Sequence, residues 1–396
     1  MQSRNISYIG ALDQLRGFAA LQILVYHAFL FISYQQVYAE PFTTAHWLKT
    51  QNPLSALLVE GHTAVALFMV MSGFIFTIGT HAHEIDYRNF IVNRLLRTFP
   101  LFLVMIFAAM AVNPDTSNLY SVLLTVTTFS THPDAVHGGP FSMMFWAISV
   151  EWQFYLIFPF LIIMMRRDGI KSALGLICLL IIFRWMLTEF GASALGISYS
   201  TIWGRLDQFL IGMIAGHVYV TAFRKGAGFD LLALVSAGGL VAYLFVFNQL
   251  GGYPADAIWK IFTPTIEGLL WGGFILGYLS LSRWLPGFVS APLQAVGLIS
   301  YSIYLIHMTV VDWVVRNNVV VDDFGLGPAG NSLVTIVVLV LPVALLLSTL
   351  TYNLIEKPFL SMRRTYKLKR VAGFGARSTP DSMEHTPLPR RASLHE

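Results

Sequence analysis

Arg16 and His27 are the residues whose types and spacing point most directly to chemistry. They lie in L-D-Q-L-R-G-F-A-A-L-Q-I-L-V-Y-H-A-F-L, Leu12 to Leu30, an apolar run with a cation near one end and an imidazole inside it. On a helix rising about 1.5 Å per residue, with about 3.6 residues per turn, they are ~16 Å and close to three whole turns apart, so both leave one face. Asp13, Gly17, Ala20 and Leu24 fall on or beside that stripe. Lipid cannot solvate a charge, so ionisable groups on a spanning helix face protein or a wet cavity. This face is therefore expected to line a cavity that reaches from the membrane surface toward the midplane.

Arg94 and Arg97 stand three apart just before T-F-P, and side chains at that spacing share a helix face. With Arg16 they place three guanidiniums at the inner membrane surface, able to hold phosphates through paired charge-assisted hydrogen bonds. The competing reading is plain topology, because arginines commonly flank cytoplasmic helix ends. The coincidence with Arg16, and the lack of a Walker-type glycine loop, favour a phosphorylated cofactor such as coenzyme A. Glu151, in F-W-A-I-S-V-E-W-Q-F-Y-L-I-F-P, falls ~9 Å below the outer end of its span, at the level expected for His27. Imidazole and carboxylate together supply general-base catalysis, the acid orienting the ring. A proton relay or a structural hydrogen bond between helices uses the same residues.

Other embedded polar positions carry weaker signals. Arg205 and Asp207 in W-G-R-L-D-Q-F are expected to pair with each other or with neighbours, and Glu267 is mid-span in T-P-T-I-E-G-L-L, where Pro264 could open the backbone. Tyr301, Tyr304 and His307 run along I-S-Y-S-I-Y-L-I-H, with structural and functional roles for His307 evenly balanced. Asp13 and Ser149 are supporting candidates beside Arg16 and Glu151. Ser72 and Gly73 read as a site of close helix packing, and Glu356-Lys357-Pro358 as the cap of the last span. No metal site is implied.

The elements that must position these residues are membrane spans. The 396 residues are 56% hydrophobic and only 12% charged, with mean hydropathy +0.64, which excludes an ordinary soluble domain and indicates an all-α polytopic membrane protein. The formal charge of +4 is spread over short basic loop clusters, so no nucleic-acid partner is implied. The single cysteine, Cys178, has no internal disulfide partner and is given no role beyond packing. Apolar runs long enough to cross about 30 Å of hydrocarbon recur about ten times: 17–32, 55–78, 99–112, 145–165, 172–187, 203–222, 231–247, 258–281, 293–315 and 333–354. Leu119 to Ser130 is too short to span and reads as interfacial or re-entrant.

Arg88, Arg94 and Arg97, then Arg166, Arg167 and Lys171, then Arg224 with Lys225, Arg283, and Lys357 with Arg363 and Arg364 mark alternate loops. The positive-inside rule then makes both termini cytoplasmic. The first run is longer than a signal-peptide core and carries Gln22 and His27, so it is expected to be retained. Residues 1–360 form the membrane domain. Residues 361–396, rich in Pro, Ser and charge, are expected to be a basic, disordered cytoplasmic tail, whose start at Arg363 to Arg370 could touch anionic lipid.

Taken in order, L-D-Q-L-R-G with R-x10-H, L-F-M-V-M-S-G-F, R-L-L-R-T-F-P, I-S-V-E-W-Q-F-Y, I-S-Y-S-I-Y-L-I-H and E-K-P cover Leu12 to about Pro358. The chain so read resembles the membrane-bound acyltransferase-3 family, which includes O-antigen and exopolysaccharide O-acetylases. The resemblance implies transfer of an acyl group, most simply acetyl, from cytoplasmic acyl-CoA to a hydroxyl of a carbohydrate or lipid-linked sugar at a bacterial inner membrane, beside other polysaccharide-assembly proteins. Arg16 and His27 match the family's first motif, Arg94 and Arg97 its arginine pair, and Glu151 its S-V-E motif. Gln14 replaces the usual glycine of the first motif, a change expected to be tolerated on a helix. An appended SGNH-type esterase domain is not expected after the membrane region, because the tail is too short for one. Transfer must then finish within the membrane or pass to a separate protein.

The expected arrangement is one wet tunnel joining Arg16, Arg94 and Arg97 to His27, with Glu151 supporting the imidazole as base or acyl carrier. The rival is a proton-coupled transporter using His27, Glu151 and Glu267 as its pathway, against which the missing inverted repeat counts modestly.

Overall fold

A computed structural model of the chain describes residues 8–222, 229–322 and 325–371. Arg224, Lys225 and the tail beyond residue 371, all used in the sequence reading, lie outside the described residues. The helices that position the site are α1 (Gly10–Tyr38), α2 (Thr63–Thr80), α3 (Tyr87–Val112), α4 (Leu119–Val126), α5 (Phe145–Asp168), α6 (Ile170–Glu189), α7 (Ile202–Thr221), α8 (Asp230–Gln249), α9 (Thr263–Leu281), α10 (Gly287–Leu298) and α11 (Ser300–Arg316). The rod α12 (Gly327–Ser361) follows, with π-helical turns at Ile336–Val340 and Tyr352–Glu356.

The protein is an all-α polytopic membrane protein. Among the described residues, seven helices are long and apolar enough to cross a membrane, or eight if α10 and α11 count as one span. Length and apolarity thus account for seven or eight of the ten spans expected. The remaining two, α7 and α9, carry the buried charges Arg205, Asp207 and Glu267, and helices surrounded by other helices need no uniformly apolar surface.

Three span boundaries differ from expectation for identifiable reasons. The span expected at 55–78 begins at Thr63, because a turn carrying buried Glu60 and His62 precedes it. Helix α3 begins at Tyr87 rather than Phe99: Asp86 caps it by accepting from the Asn89 amide at 3.0 Å, so Arg94 and Arg97 lie within the helix. The run at 293–315 is broken at Ile299, with a 77° bend between α10 and α11. Helix α4 is short and starts with an Asn118/Ser121 capping box, as suits a segment that does not span.

Two glycine crossings bring the inner helices together. A side chain on Gly17 would collide with the Leu293 carbonyl, and one on Gly297 with the Asp13 carbonyl, so α1 and α10 meet backbone to backbone. Gly73 and Gly212 do the same for α2 and α7, against Phe209 and Val70. Gly17 therefore serves packing, not a cavity wall. Cys178 is exposed rather than packed.

The start of the tail is not the expected disordered segment. Lys367–Arg370 is a strand, β2, paired antiparallel with β1 (His83–Ile85), in the register His83 to Arg370 and Ile85 to Lys367. Tyr366 is buried with its ring edge-on to Phe90 at 5.4 Å. A two-stranded ribbon is marginal alone, and packing on α3 gives this one its support.

Candidate active site

A cavity of about 380 Å³ opens between α1, α2, α3, α5 and α11, with Arg16, Arg94, Arg97 and Arg363 in its lining. Residue type and depth bring the first three together; the cavity adds Arg363, from the start of the expected tail. Arg16 pairs with Asp13 at 2.9 Å, one turn away on α1, and Arg97 pairs with Glu356 at 2.9 Å. Glu356 is fully buried and also accepts from the Ser302 hydroxyl. It is therefore a partner of the arginine cluster rather than a helix cap, placed there because α12 ends beside α3. Among the described residues Arg94 has no salt bridge; its guanidinium lies 4.8 Å from the Phe76 ring, 5.6 Å from Phe90 and 5.8 Å from Tyr155.

Along α1 the cavity touches only the first turns, to Leu12, Asp13 and Arg16. Ala20 and Leu24 are fully buried in the core, so the expected lined face stops at Arg16. The way inward runs instead along α2, where Phe76, Ser72, Met69 and Val65 line the void over ~16 Å of helix. Ser72 is a wall residue and not only a packing position: its hydroxyl donates to Glu151 Oε1 at 3.0 Å. Glu151, Tyr301 and Tyr304 also line the cavity. The Tyr301 hydroxyl donates to the Thr98 carbonyl at 2.7 Å. The Tyr304 hydroxyl is buried with no hydrogen-bond partner.

His27 lies beyond this void. Neither it nor His307 lines the cavity, so the expected continuous tunnel is interrupted, with Tyr304 a wall residue on the His307 side. The Tyr304 ring lies 6.1 Å from the His307 ring, which in turn stacks on His27 at 5.1 Å. The hydrogen-bond partner of His27 is His307, not Glu151: His27 Nδ1 and His307 Nε2 are 2.9 Å apart. The break at Ile299 sets this register by starting α11 afresh beside α1.

The tautomers follow from one carbonyl. His307 Nδ1 is 2.9 Å from the Ile303 oxygen, which can only accept, so His307 Nδ1 carries a proton. With both rings neutral, His307 Nε2 then holds a lone pair and accepts from His27 Nδ1–H. That leaves the lone pair of His27 on Nε2. His307 is fully buried and His27 is partly exposed, so the pair presents one basic nitrogen on an oriented ring.

The remaining expected residues lie elsewhere. The Ser149 hydroxyl is 2.6 Å from that of Ser130 and holds the loop after α4. Arg205 and Asp207 do not pair with each other: Arg205 lies 3.6 Å from Glu267 and over the Tyr199 ring at 4.4 Å, while Asp207 pairs at 2.9 Å with Arg184. Arg184 was missed because it sits in the middle of an otherwise apolar run; an arginine so placed was itself the available signal. Among the described residues no group of three or more His, Cys, Asp or Glu could hold a metal ion.

A polytopic α-helical scaffold with a cation-lined cavity and an oriented imidazole fits a membrane transferase. The family model described as an acyltransferase domain matches residues 9–353, and the chain belongs to this acyltransferase-3 family. It is a membrane-embedded O-acyltransferase, which sets the transporter reading aside. "Acyltransferase MdmB" of Streptomyces mycarofaciens is 24% identical over 76% of this chain and 78% of its own. "Putative peptidoglycan O-acetyltransferase YrhL" of Bacillus subtilis (strain 168) is 25% identical over 89% of this chain and 55% of its own. "Nodulation protein 10" of Rhizobium leguminosarum bv. viciae is 23% identical over 91% of this chain and 95% of its own. No solved structure matches.

Proposed function

We propose that the protein transfers an acetyl group from acetyl-CoA, taken from the cytoplasmic side of a bacterial inner membrane, to a hydroxyl of a carbohydrate acceptor. The observation that carries this reading is the polarity of the cavity, with guanidiniums at one end, mostly apolar walls between, and the His27–His307 pair one ring past the other end. Arg16, Arg94 and Arg97 hold donor phosphates, and the pantetheine arm runs along α2 toward Tyr304. The walls keep water from the thioester. A relative named for peptidoglycan O-acetylation supports both the acetyl group and a glycan acceptor.

His27 Nε2 removes the proton of the acceptor hydroxyl as its oxygen attacks the thioester carbonyl. The C–S bond then breaks, and the proton returns from His27 to the leaving thiolate. His307 holds the ring in the tautomer that leaves Nε2 free, a role first expected of Glu151. Glu151 instead contributes to the cavity wall through Ser72. In membranes carrying the protein, acetyl-CoA and acceptor should yield free thiol, and mass spectrometry of cell-surface glycans should show an acetyl-sized difference with and without the protein. Equal thiol release and identical glycans with wild type and His27→Ala would refute the assignment.

A further inference from the structure

The cavity mouth holds more positive charge than the protein neutralises. Asp13 is engaged by Arg16 and Glu356 by Arg97, while Glu151 accepts from Ser72. Among the described residues, no carboxylate forms a salt bridge with Arg94 or Arg363, and the Nε of each is buried without a hydrogen-bond partner. Both residues are partly exposed and line the cavity, where a guanidinium without a counter-charge is set to bind an anion. Burial first, then the neighbouring Arg94, Arg97 and Arg16, push the Arg363 pKa down to about 9; an arginine there still carries its proton at neutral pH.

Arg363 is also held in place by a dedicated anchor. Asn93, fully buried on α3 one residue before Arg94, donates from Nδ2 to the Arg364 carbonyl at 2.6 Å and accepts from the Arg364 amide at 2.8 Å. Two residues past Arg364, the Tyr366 carbonyl accepts from the Asp86 amide at 2.8 Å, and further on the Val371 amide donates to the Ala82 carbonyl at 3.0 Å. One helix thus carries Arg94 and pins the segment that delivers Arg363. A flexible flank has no need of such pinning.

We propose that Arg94 and Arg363 form a two-guanidinium seat for a phosphate group of the acyl donor, with Asn93 as the positioning residue that holds Arg363 in it. The seat rests on the reading of the cavity as a donor site. It explains why the chain continues past its last span into a strand paired with β1: the ribbon closes the cavity mouth with a cation. Two guanidiniums converging on one phosphate match its oxygens better than point charges do.

The test uses the full-length protein in phosphatidylcholine nanodiscs, titrated with coenzyme A, inorganic pyrophosphate and pantetheine. Arg363→Ala should weaken coenzyme A and pyrophosphate about tenfold or more and leave pantetheine unchanged, a split that a merely structural loss does not produce. Arg363→Lys should recover part of the loss. Asn93→Ala should reproduce the same split, more weakly, with Arg363 present. Should Asn93→Ala not fold, Val371→Pro, which removes the bond to Ala82, takes its place. Coenzyme A bound equally by wild type and Arg363→Ala overturns the seat while the donor reading stands. Pyrophosphate binding that Arg363→Ala abolishes, with no coenzyme A binding by wild type, keeps the seat and refutes the donor. If wild type binds no coenzyme A and added phosphatidylglycerol displaces pyrophosphate from wild type, the phosphate belongs to a lipid headgroup and the donor assignment falls.

Discussion

Two regions of this membrane domain are built from the same residue types and do opposite things with them. In the bundle of α6, α7 and α9, Arg184 pairs with Asp207 and Arg205 with Glu267, all four buried. Arg184 further donates to the Trp203 and Gly204 carbonyls at 3.2 Å, and the Thr265 hydroxyl donates to Asp207 at 2.5 Å. Every charge there meets its opposite within the protein. At the cavity mouth four arginines meet two salt-bridged carboxylates, and among the described residues Arg94 and Arg363 face the void without one. The difference teaches that an embedded arginine is not in itself evidence of a ligand. What it lacks among its neighbours is the informative quantity.

That contrast can be broken from either side. The largest effect is expected at the chemistry: His27→Ala should lower turnover about 10²- to 10⁴-fold without lowering the thermal unfolding temperature. His307→Ala should lower it less, through loss of ring orientation. Normal turnover in His27→Ala would end the general-base role. Next, Arg184→Leu should cost about 3–5 kcal/mol of stability, because Asp207 is left buried and unpaired. Its folded fraction should still bind coenzyme A as wild type does. Weakened donor binding there would erase the distinction between the two regions.

Arg94→Ala should give the mirror result, about 10- to 100-fold weaker coenzyme A binding, from ~1.5–3 kcal/mol of charge-assisted hydrogen bonding, with little change in unfolding temperature. Isothermal titration and a thermal scan on the same sample separate the two. The smallest change is expected for Asp13→Asn, because its partner Arg16 is 35% exposed at the side chain. With Arg16 that exposed, loss of the pair shifts stability by only about 0.2–1 kcal/mol, although Asp13 itself is buried. A larger drop would mean that the burial of Asp13 outweighs the exposure of Arg16.

Much of the site was legible from residue type and depth. Arg16, Arg94 and Arg97 were grouped from their position at one membrane surface, and the cavity contains all three. His307 was singled out from its burial in an apolar run, although its partner was not identified. Arg363, Glu356 and Asn93 were missed or misread for one shared reason. Each acts across a large gap in sequence, from Asn93 to Arg364 or from Arg97 to Glu356, and helical periodicity carries no information at that range.

The sequence by itself determined that the chain is a bundle of membrane helices, because unbroken apolar runs of this length cross lipid as helices, whereas barrel strands are shorter and alternate. It also determined the family, because ordered motifs survive where spacing within single helices matters. Only the tertiary structure decided which charges are compensated, which nitrogen of His27 is free and where the cavity stops. Those depend on how helices distant in the chain cross: the Gly17–Leu293 and Gly73–Phe209 contacts and the bend at Ile299 set the registers. A shift of one residue along a helix turns a side chain by about 100°, enough to replace a salt bridge with a void.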